Sequence, residues 1–407
     1  MFVDEAPSRQ RMSLMGSTVE DKDARNAKRA SRTTPSADVD LISGLDDDLL
    51  LRVLALMPDG RDAARAAVLS RRWLGLWRRV PTLRFTSPRV SSAAGPCAAF
   101  ERSVSFVNSI LARRMQSDCP IESLEISYTM DSEHNLKRLM LASVDAVQGW
   151  IRYAFLHGLK SFIVDLDLRD DDYEEEDDDK GCENEPEVCL DELPSPVRLE
   201  TIRLALGNAR LRLPNTMKFA SVTDLSLERI EIADGSGARL LARLVSSASC
   251  PRLQKLRMNK LWFLDSSEEL RLEANMLSEL WVEDVNVPMS LELKTPSLRI
   301  FHIDTCYSCD NNGVLRVSAP RLEELAFFQR GCPPGLLEVD GDLSCMRSLK
   351  ICLWSHARVS GYGQAQNNVN MLLLKQCSSL TCLDVTLKGR KVRLSQNSNK
   401  YHCSVHV

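Results

Sequence analysis

Residues 253–258 read Leu-Gln-Lys-Leu-Arg-Met, and the same order returns as Leu-Ser-Glu-Leu-Trp-Val at 277–282 and Leu-Glu-Glu-Leu-Ala-Phe at 322–327. Each hexamer is apolar at its first, fourth and sixth positions. The template begins at residues 121, 159, 199, 222, 253, 277, 298, 322, 346 and 380, and five of the nine intervals span 21–24 residues. Such intervals are typical of leucine-rich repeats. The sequence therefore predicts an α/β fold, an irregular repeat solenoid with one strand per repeat in a curved parallel sheet.

The fifth position of each hexamer is expected to point away from the buried apolar residues, because side chains alternate along a strand. This position, or the one two residues later, carries the candidate target-binding residues Arg257, Asn259, Trp281, His302 and Phe328. Neighbouring strands lie about 4.8 Å apart, so we expect the three rings to form one patch flanked by Arg257 and Asn259. Trp, Arg and other aromatic residues are typical of binding hot spots. The alternative is that flanking segments simply cover these side chains.

A different pattern occupies residues 40–85. Three acids at 46–48 precede apolar residues with helical spacing over 49–57, which suits the positive end of a helix dipole. A Pro-Asp-Gly turn follows at 58–60, and Asp62 is a candidate cap for a second helix that carries Leu69, Trp73 and Trp77 at intervals of four. The segment predicts a two-helix unit that is too small to bury its apolar faces alone.

The remaining segments are assigned by composition. Residues 1–39 predict a disordered tail, residues 86–118 a connector with a helix over 100–115, residues 119–392 the repeats, and residues 393–407 a second tail. Nine of the ten residues 170–179 are acidic, and so dense a like-charge run predicts a disordered loop over 170–187. A calcium site is disfavoured there, because no ligand spacing or turn glycine is visible.

Composition narrows the class of protein. The chain has 407 residues, a net charge of −4 and 27% charged residues, which gives no basic footprint for nucleic acid. The longest charge-free stretch, 359–374, is too polar to span a bilayer. The early acids at the N-terminus indicate no secretory signal, so we expect the 13 cysteines to be reduced thiols and the protein to lie in the nucleus or cytoplasm.

The sequence gives little support for an enzymatic function. None of the six histidines falls in a nucleophile–base motif, and neither a glycine-rich phosphate loop nor a Gly-x-Ser-x-Gly motif occurs. The spacing of His302, Cys306 and Cys309 raises the question of zinc, but zinc takes four ligands and no fourth lies nearby. The sequence therefore predicts a non-enzyme with no catalytic residue, metal or cofactor.

The stretch Leu-Ile-Ser-Gly-Leu-Asp-Asp-Asp-Leu-Leu-Leu-Arg-Val-Leu at 41–54, followed by Val-Leu-Ser-Arg-Arg-Trp at 68–73 and Leu-Trp at 76–77, resembles an F-box. With the repeats behind it, the chain resembles plant F-box proteins with irregular leucine-rich repeats, of the FBD-like subfamily. The resemblance implies that the F-box docks a Skp-type adaptor, and through it a cullin, of an SCF-type ubiquitin ligase, while the repeats hold the target protein. The adaptor-binding positions that it implies are Leu45, Asp46, Leu49, Leu50, Val53, Leu54, Leu69 and Trp73.

Two alternatives to this interpretation stay open. The family usually has Leu-Pro where this chain has Leu45 and Asp46; aspartate can cap the helix instead, but the fit to the adaptor differs. One alternative is therefore a repeat-based binding protein without ligase docking. The other is a sensor that binds a small ligand in the repeat arc. A deep pocket with aromatic and basic walls would favour the sensor, and a shallow open face would count against it.

Overall fold

The computed structural model describes residues 42, 44–66, 68, 70–86, 96–116, 119–131, 136–169, 187–191, 193–233, 235–264, 269–286, 290–307, 314–328, 336–340, 343–354, 361–388 and 401–406. The predicted tail 1–39, Leu69 and nearly all of the acidic run 170–187 lie outside these residues. The chain divides into two units, Met1–Asp46 and Asp47–Val407. In the described part of the first unit, the Leu45 N–H donates to the carbonyl of Ile42 at 3.1 Å.

The second unit begins with three short helices where the sequence predicted two: α1 (Asp47–Leu56), α2 (Gly60–Ala66) and α3 (Arg71–Trp77). The predicted second helix is divided because the Ser70 hydroxyl caps a new one, accepting a hydrogen bond from the Trp73 N–H at 3.2 Å. Helix α2 is capped by Asp59 rather than by Asp62, since the Asp59 carboxylate accepts from the Arg61 N–H at 2.7 Å.

Four further helices and 17 strands make up the rest of the described structure. The helices are α4 (Pro96–Met115), α5 (Leu136–Leu156), α6 (Gly237–Val245) and α7 (Gly361–Gln376). The strands are β1 (Thr82–Thr86), β2 (Ser123–Asp131), β3 (Ser161–Arg169), β4 (Glu187–Cys189), β5 (Thr201–Arg212), β6 (Asp224–Ile232), β7 (Lys255–Phe263), β8 (Glu269–Glu273), β9 (Glu279–Asn286), β10 (Ser290–Lys294), β11 (Ile300–Tyr307), β12 (Val314–Ser318), β13 (Glu324–Phe328), β14 (Leu336–Asp340), β15 (Ser348–Trp354), β16 (Cys382–Lys388) and β17 (Tyr401–His406).

The larger of two sheets has 13 strands in the order β1-β2-β3-β5-β6-β7-β9-β11-β13-β15-β16-β17, with β4 also paired to β5. Its pairings are parallel except that of β17 with β16. All ten hexamers fall on its strands, so the predicted α/β repeat fold with a curved parallel sheet is confirmed. The fourth residues of successive hexamers pair directly, as in Leu256 with Leu280 and Leu280 with Phe301, and these three side chains are almost fully buried.

Strand β1 is an element that the sequence analysis missed. It lies inside the segment assigned to the helical unit, yet it pairs with β2 and places Leu83 beside Leu124 in the core. At the other end, the predicted tail 393–407 contains β17. The last strand of the sheet comes from a segment without the repeat template, whereas β1 carries it as Val80, Leu83 and Phe85, all buried, a match that the sequence analysis did not recognise.

A second layer lies behind the large sheet. Its four parallel strands run in the order β14-β12-β10-β8, and Leu270, Leu291 and Leu315 form one aligned row with buried side chains. Along the same layer, α5 packs against β4, α6 against β8, and α7 against β15. The core lies between this layer and the large sheet. No described helix is long and apolar enough to cross a membrane.

The strands of the large sheet bend at a shared position. Asn208, Arg229, Lys260 and Asp284 have positive φ angles of 70°, 51°, 51° and 52° on the adjacent strands β5, β6, β7 and β9. A non-glycine residue rarely adopts this conformation, and here it adds one residue to the alternation, as in a β-bulge. On β7, Leu261 therefore points inward and Trp262 points outward, with 42% of its surface exposed.

Candidate protein-docking surfaces

Helix α1 carries apolar side chains on two faces. Leu50 and Leu54 are only 1% and 2% exposed, whereas Leu49, Val53 and Leu56 are 45%, 46% and 76% exposed. Positions separated by four and three residues share one side of a helix, so the exposed three form a continuous apolar strip, called here the α1 strip. Of the predicted adaptor-binding residues on α1, Leu49 and Val53 are on the surface, and Leu50 and Leu54 belong to the core.

The other predicted adaptor-binding residues are distributed over two units. Trp73 is half-buried on α3, while Leu45 and Asp46 belong to the first unit, where Leu45 is half-buried and Asp46 exposed. Leu69 is not among the described residues. The sequence analysis missed Leu56 on α1, although its spacing from Val53 is the signal that identifies it.

A buried arginine ties the end of α3 to α4. The guanidinium of Arg114 donates to the carbonyls of Trp77, at 2.9 Å, and Val80, at 2.8 Å, and also to that of Arg78. Its carbon lies 5.8 Å from the centre of the Trp77 ring. Burial lowers the pKa of Arg114 from its ordinary value, and the three carbonyls compensate the desolvated charge. The helix end is thereby satisfied without solvent.

The helical unit is also joined to the first strand of the sheet. Arg84 on β1 donates to the carbonyl of Ala55 at the end of α1, at 3.0 Å. Gly60, which begins α2, lies so close to β1 that an added Cβ would stand 2.8 Å from the Arg84 carbonyl oxygen. Only glycine permits this approach. The α1 strip is therefore presented by helices that are fixed to the repeat sheet.

The structure brings Arg257, Trp281 and His302 together on three adjacent strands. They pair directly in the register of β7, β9 and β11. The Arg257 guanidinium carbon lies 5.2 Å from the centre of the Trp281 ring, and the Trp281 and His302 ring centres are 3.8 Å apart. Arg257 is exposed, whereas Trp281 and His302 are half-buried. The sequence prediction placed these three side chains correctly as neighbours on the open face.

Phe328 does not complete the predicted aromatic row. It pairs with Asp304 in the next row along the strands, and the residue beside His302 on β13 is Ala326, which is 2% exposed. The three rings therefore do not form one row, and a single patch that includes Phe328 stays a prediction. Asn259 lies in the same next row as Phe328, opposite Glu283. Trp262 lies further along β7, beyond the bend, and was missed because strict alternation would have turned it inward.

Glu324 on β13 contacts His302 on β11, and Lys350 on β15 contacts Glu324 in turn. The carboxylate oxygen Oε1 of Glu324 lies 3.1 Å from His302 Nε2 and 2.7 Å from Lys350 Nζ. Since a carboxylate only accepts, His302 carries its proton on Nε2. Burial lowers the pKa of His302, and the positive charges of Lys350 and Arg257 lower it further, so that the pKa lies below its ordinary value although Glu324 raises it. Burial raises the pKa of Glu324, but the hydrogen bonds and charges of Lys350 and His302 leave it below its ordinary value.

Three cavities can be described, and none is lined by Arg257, Trp281 or His302. Two of about 10 Å³ each lie inside the core and beneath the helical unit. The third, of about 760 Å³, crosses the carboxyl ends of the strands in the second sheet. Within the described residues, no group of three His, Cys, Asp or Glu side chains is placed to hold a metal ion; Cys309 lies outside them. These three cavities, which the described residues line, therefore lie away from the candidate recognition face.

Comparison with known proteins gives a consistent group of relatives. F-box/LRR-repeat protein 13 of Arabidopsis thaliana is 25% identical over 315 residues, covering 77% of this chain and 57% of that protein. An FBD-associated F-box protein of the same plant is 23% identical over 317 residues, covering 77% and 67%. An Arabidopsis F-box/FBD/LRR-repeat protein is 25% identical over 296 residues, covering 68% and 52%. No family model matches the chain.

The fold defines a leucine-rich-repeat protein with an N-terminal module of three helices. The relatives support a plant F-box/LRR protein of the FBD-like type, as the sequence resemblance implied. The chain spans about half to two thirds of the length of the curated relatives it matches.

Proposed function

We propose that this chain is the substrate-recognition subunit of an SCF-type cullin–RING ubiquitin ligase. The α1 strip docks a Skp-type adaptor, the adaptor joins the chain to a cullin, and the open face of the large sheet holds the target protein. The chain itself is not an enzyme in this proposal, because ubiquitin transfer is the chemistry of the partner subunits. It acts in the nucleus or cytoplasm, where those subunits are found.

The α1 strip carries this proposal. A short helix needs one apolar face to pack on its own domain, and α1 already uses Leu50 and Leu54 for that purpose. A second apolar face left on the surface is typical of a protein interface. Burying Leu49 and Val53, which are about half exposed, contributes on the order of 1 kcal/mol each. The hydrogen bonds from Arg114 and Arg84 keep the strip fixed while it docks.

Co-elution of the full chain with a purified Skp-type adaptor and the N-terminal half of a cullin tests the assignment. We expect one complex that contains all three proteins. If the chain elutes alone, the ligase assignment is contradicted, and the alternative of a repeat-based binding protein without ligase docking is supported.

The variant Asp46→Pro then tests the position where the chain departs from the family. Proline presets the backbone before a helix, so this variant should bind the adaptor with the affinity of the wild type if Asp46 is tolerated in the interface, and clearly more tightly if Asp46 weakens docking. A sensor of small ligands is not favoured, since the three cavities that the described residues line lie away from the recognition face.

A further inference from the structure

The cations of the large sheet are nearly all neutralised by carboxylates within the sheet. Each of the following pairs lies within ion-pair distance: Arg84 and Glu125, Arg203 and Glu228, Arg210 and Glu231, Arg229 and Asp165, Lys255 and Glu279, Lys350 and Glu324. Among the described residues of β7, Arg257 and Lys260 have no such partner. Lys260 lies at the bend, whereas Arg257 lies in the middle of the face with its guanidinium over the ring of Trp281.

Arg257 stands at the end of a continuous chain of contacts across five strands. Lys350 on β15 binds Glu324 on β13, Glu324 binds His302 on β11, and the His302 ring contacts Trp281 on β9. Trp281 in turn supports the guanidinium of Arg257 on β7. A guanidinium over the face of an aromatic ring is attracted by the negative charge of that face, which restricts the positions that the side chain samples. Four side chains thus hold in place a cation that has no ion-pair partner among the described residues of its own strand or of β9, with the carboxylate of Asp224 on β6 within electrostatic reach.

We propose that Arg257 is the specificity-determining residue of the recognition face and binds the carboxylate of an Asp or Glu side chain in the target. This proposal rests on the proposed function of that face. Guanidinium and carboxylate pair through two parallel hydrogen bonds. Because Trp281 already restricts the arginine, less side-chain entropy is lost on binding. The charge complementarity therefore favours an acidic residue at this point of the target.

The neighbouring row limits how many acids the target carries. Asn259, two residues beyond Arg257 on β7, pairs with Glu283 on β9. A second acidic side chain that reached this row would meet the carboxylate of Glu283, and like charges at an interface are disfavoured. The site therefore selects one acid followed by neutral or basic residues, and it discriminates against a long acidic run.

A display library of random 12-residue peptides, selected against the purified full chain, tests this inference. The wild type should enrich peptides with Asp or Glu at one fixed position. For a recovered peptide, Arg257→Ala should weaken binding about tenfold or more, which corresponds to about 1.4 kcal/mol. The charge reversal Arg257→Glu should instead select Lys or Arg at that position. Lys260→Gln removes an equal charge from the same strand and should leave the preference unchanged.

The result that overturns the inference is a wild-type selection without an acidic position, or an acidic preference that persists in Arg257→Ala. Both Arg257 and Lys260 are exposed, so melting temperatures of the variants should match the wild type. Adaptor affinity is measured on the same preparations. Loss of adaptor binding with retained acid selectivity would contradict the ligase assignment alone, and the reverse would contradict the role of Arg257 alone.

Discussion

Two adjacent residues on β9, Leu280 and Trp281, have different roles. Leu280 is fully buried and pairs with Leu256 and Phe301 in the core, while the half-buried Trp281 lies between Arg257 and His302 on the open face. A side chain of the first kind stabilises the repeats, and one of the second kind is available to a partner. Two consecutive residues of one strand can therefore serve the stability of the fold and the recognition of a partner separately.

Substituting each of these residues by alanine separates the two roles. Leu280→Ala should lower the free energy of unfolding by about 2–5 kcal/mol, because it leaves a cavity in the core. Trp281→Ala loses ring contacts on the surface and should cost about 1–2 kcal/mol, while it weakens target binding about tenfold. Denaturant titrations measure both values. Equal destabilisation by the two substitutions would show that Trp281 is a core residue.

The pKa of His302 predicts a pH dependence of stability. Its folded-state pKa lies below the ordinary value of 6.5, so protonation favours the unfolded chain. The stability tied to neutral His302 is fully present above about pH 6.5 and is lost as the pH falls through the folded-state pKa. His302→Gln keeps a donor for Glu324 but does not titrate. Between pH 7 and 5, the wild type should therefore lose more melting temperature than His302→Gln, and parallel losses would argue against the assignment.

Strict alternation predicts side-chain direction only where a strand is regular. It placed Arg257, Trp281 and His302 on one face, because their hexamers are in register. It gave no warning of the positive φ at Lys260, which reverses the facing of every later residue on β7 and exposes Trp262. The signal for the bend on β7 is the shift of its apolar positions from Leu256 and Met258 to Leu261 and Phe263, which strict alternation ignores. Side-chain placement beyond it depends on pairing with neighbouring strands.

At the scale of elements, the helical unit is not an independent module. Arg114 on α4 satisfies carbonyls at the end of α3, and Arg84 on β1 satisfies one at the end of α1. These contacts join the helices to the repeats through charge-assisted hydrogen bonds, which are stronger than neutral ones. The helices of this unit and the first repeat strand are thus parts of one packed element.

The variant Arg114→Met tests this connection. It keeps most of the buried volume but leaves the carbonyls of Trp77 and Val80 without their donor, and each unsatisfied buried group costs about 1–3 kcal/mol. We expect a loss of about 2 kcal/mol or more in the free energy of unfolding, measured by denaturant titration. A matched control is Arg113→Met on the same helix turn, which is exposed and should change little. Equal stability of the two variants would contradict the role assigned to Arg114.

The elements predicted from sequence are those with a repeated signal. The ten hexamers predict ten strands, and the helical spacing of apolar residues over 49–57 predicts α1. The four strands of the second sheet have five residues each, as in Leu336–Asp340, and a segment so short shows only two inward side chains. Helix α7 carries a polar sequence with asparagines and glutamines. Such elements form because the repeats beside them leave apolar surface to cover, which is a tertiary cause.

At the scale of the whole molecule, the described structure has two separate surfaces of different chemistry. The α1 strip is apolar and helical, whereas the recognition face is a mixture of charges and rings on open strands. An adaptor and a target can therefore be selected independently. The names of the relatives combine an F-box with leucine-rich repeats, which is the combination that the proposed function requires.

The central claim is that the α1 strip docks the adaptor, and the affinity of the full chain for a purified Skp-type adaptor tests it most directly. The double variant Leu49→Asp, Val53→Asp should bind at least a hundredfold more weakly than the wild type, a loss of about 2.8 kcal/mol. Both residues are about half exposed, so the melting temperature should be nearly unchanged, and Leu141→Asp, at an equally exposed leucine on α5, should bind normally. A folded double variant that binds within threefold of the wild type would contradict the claim.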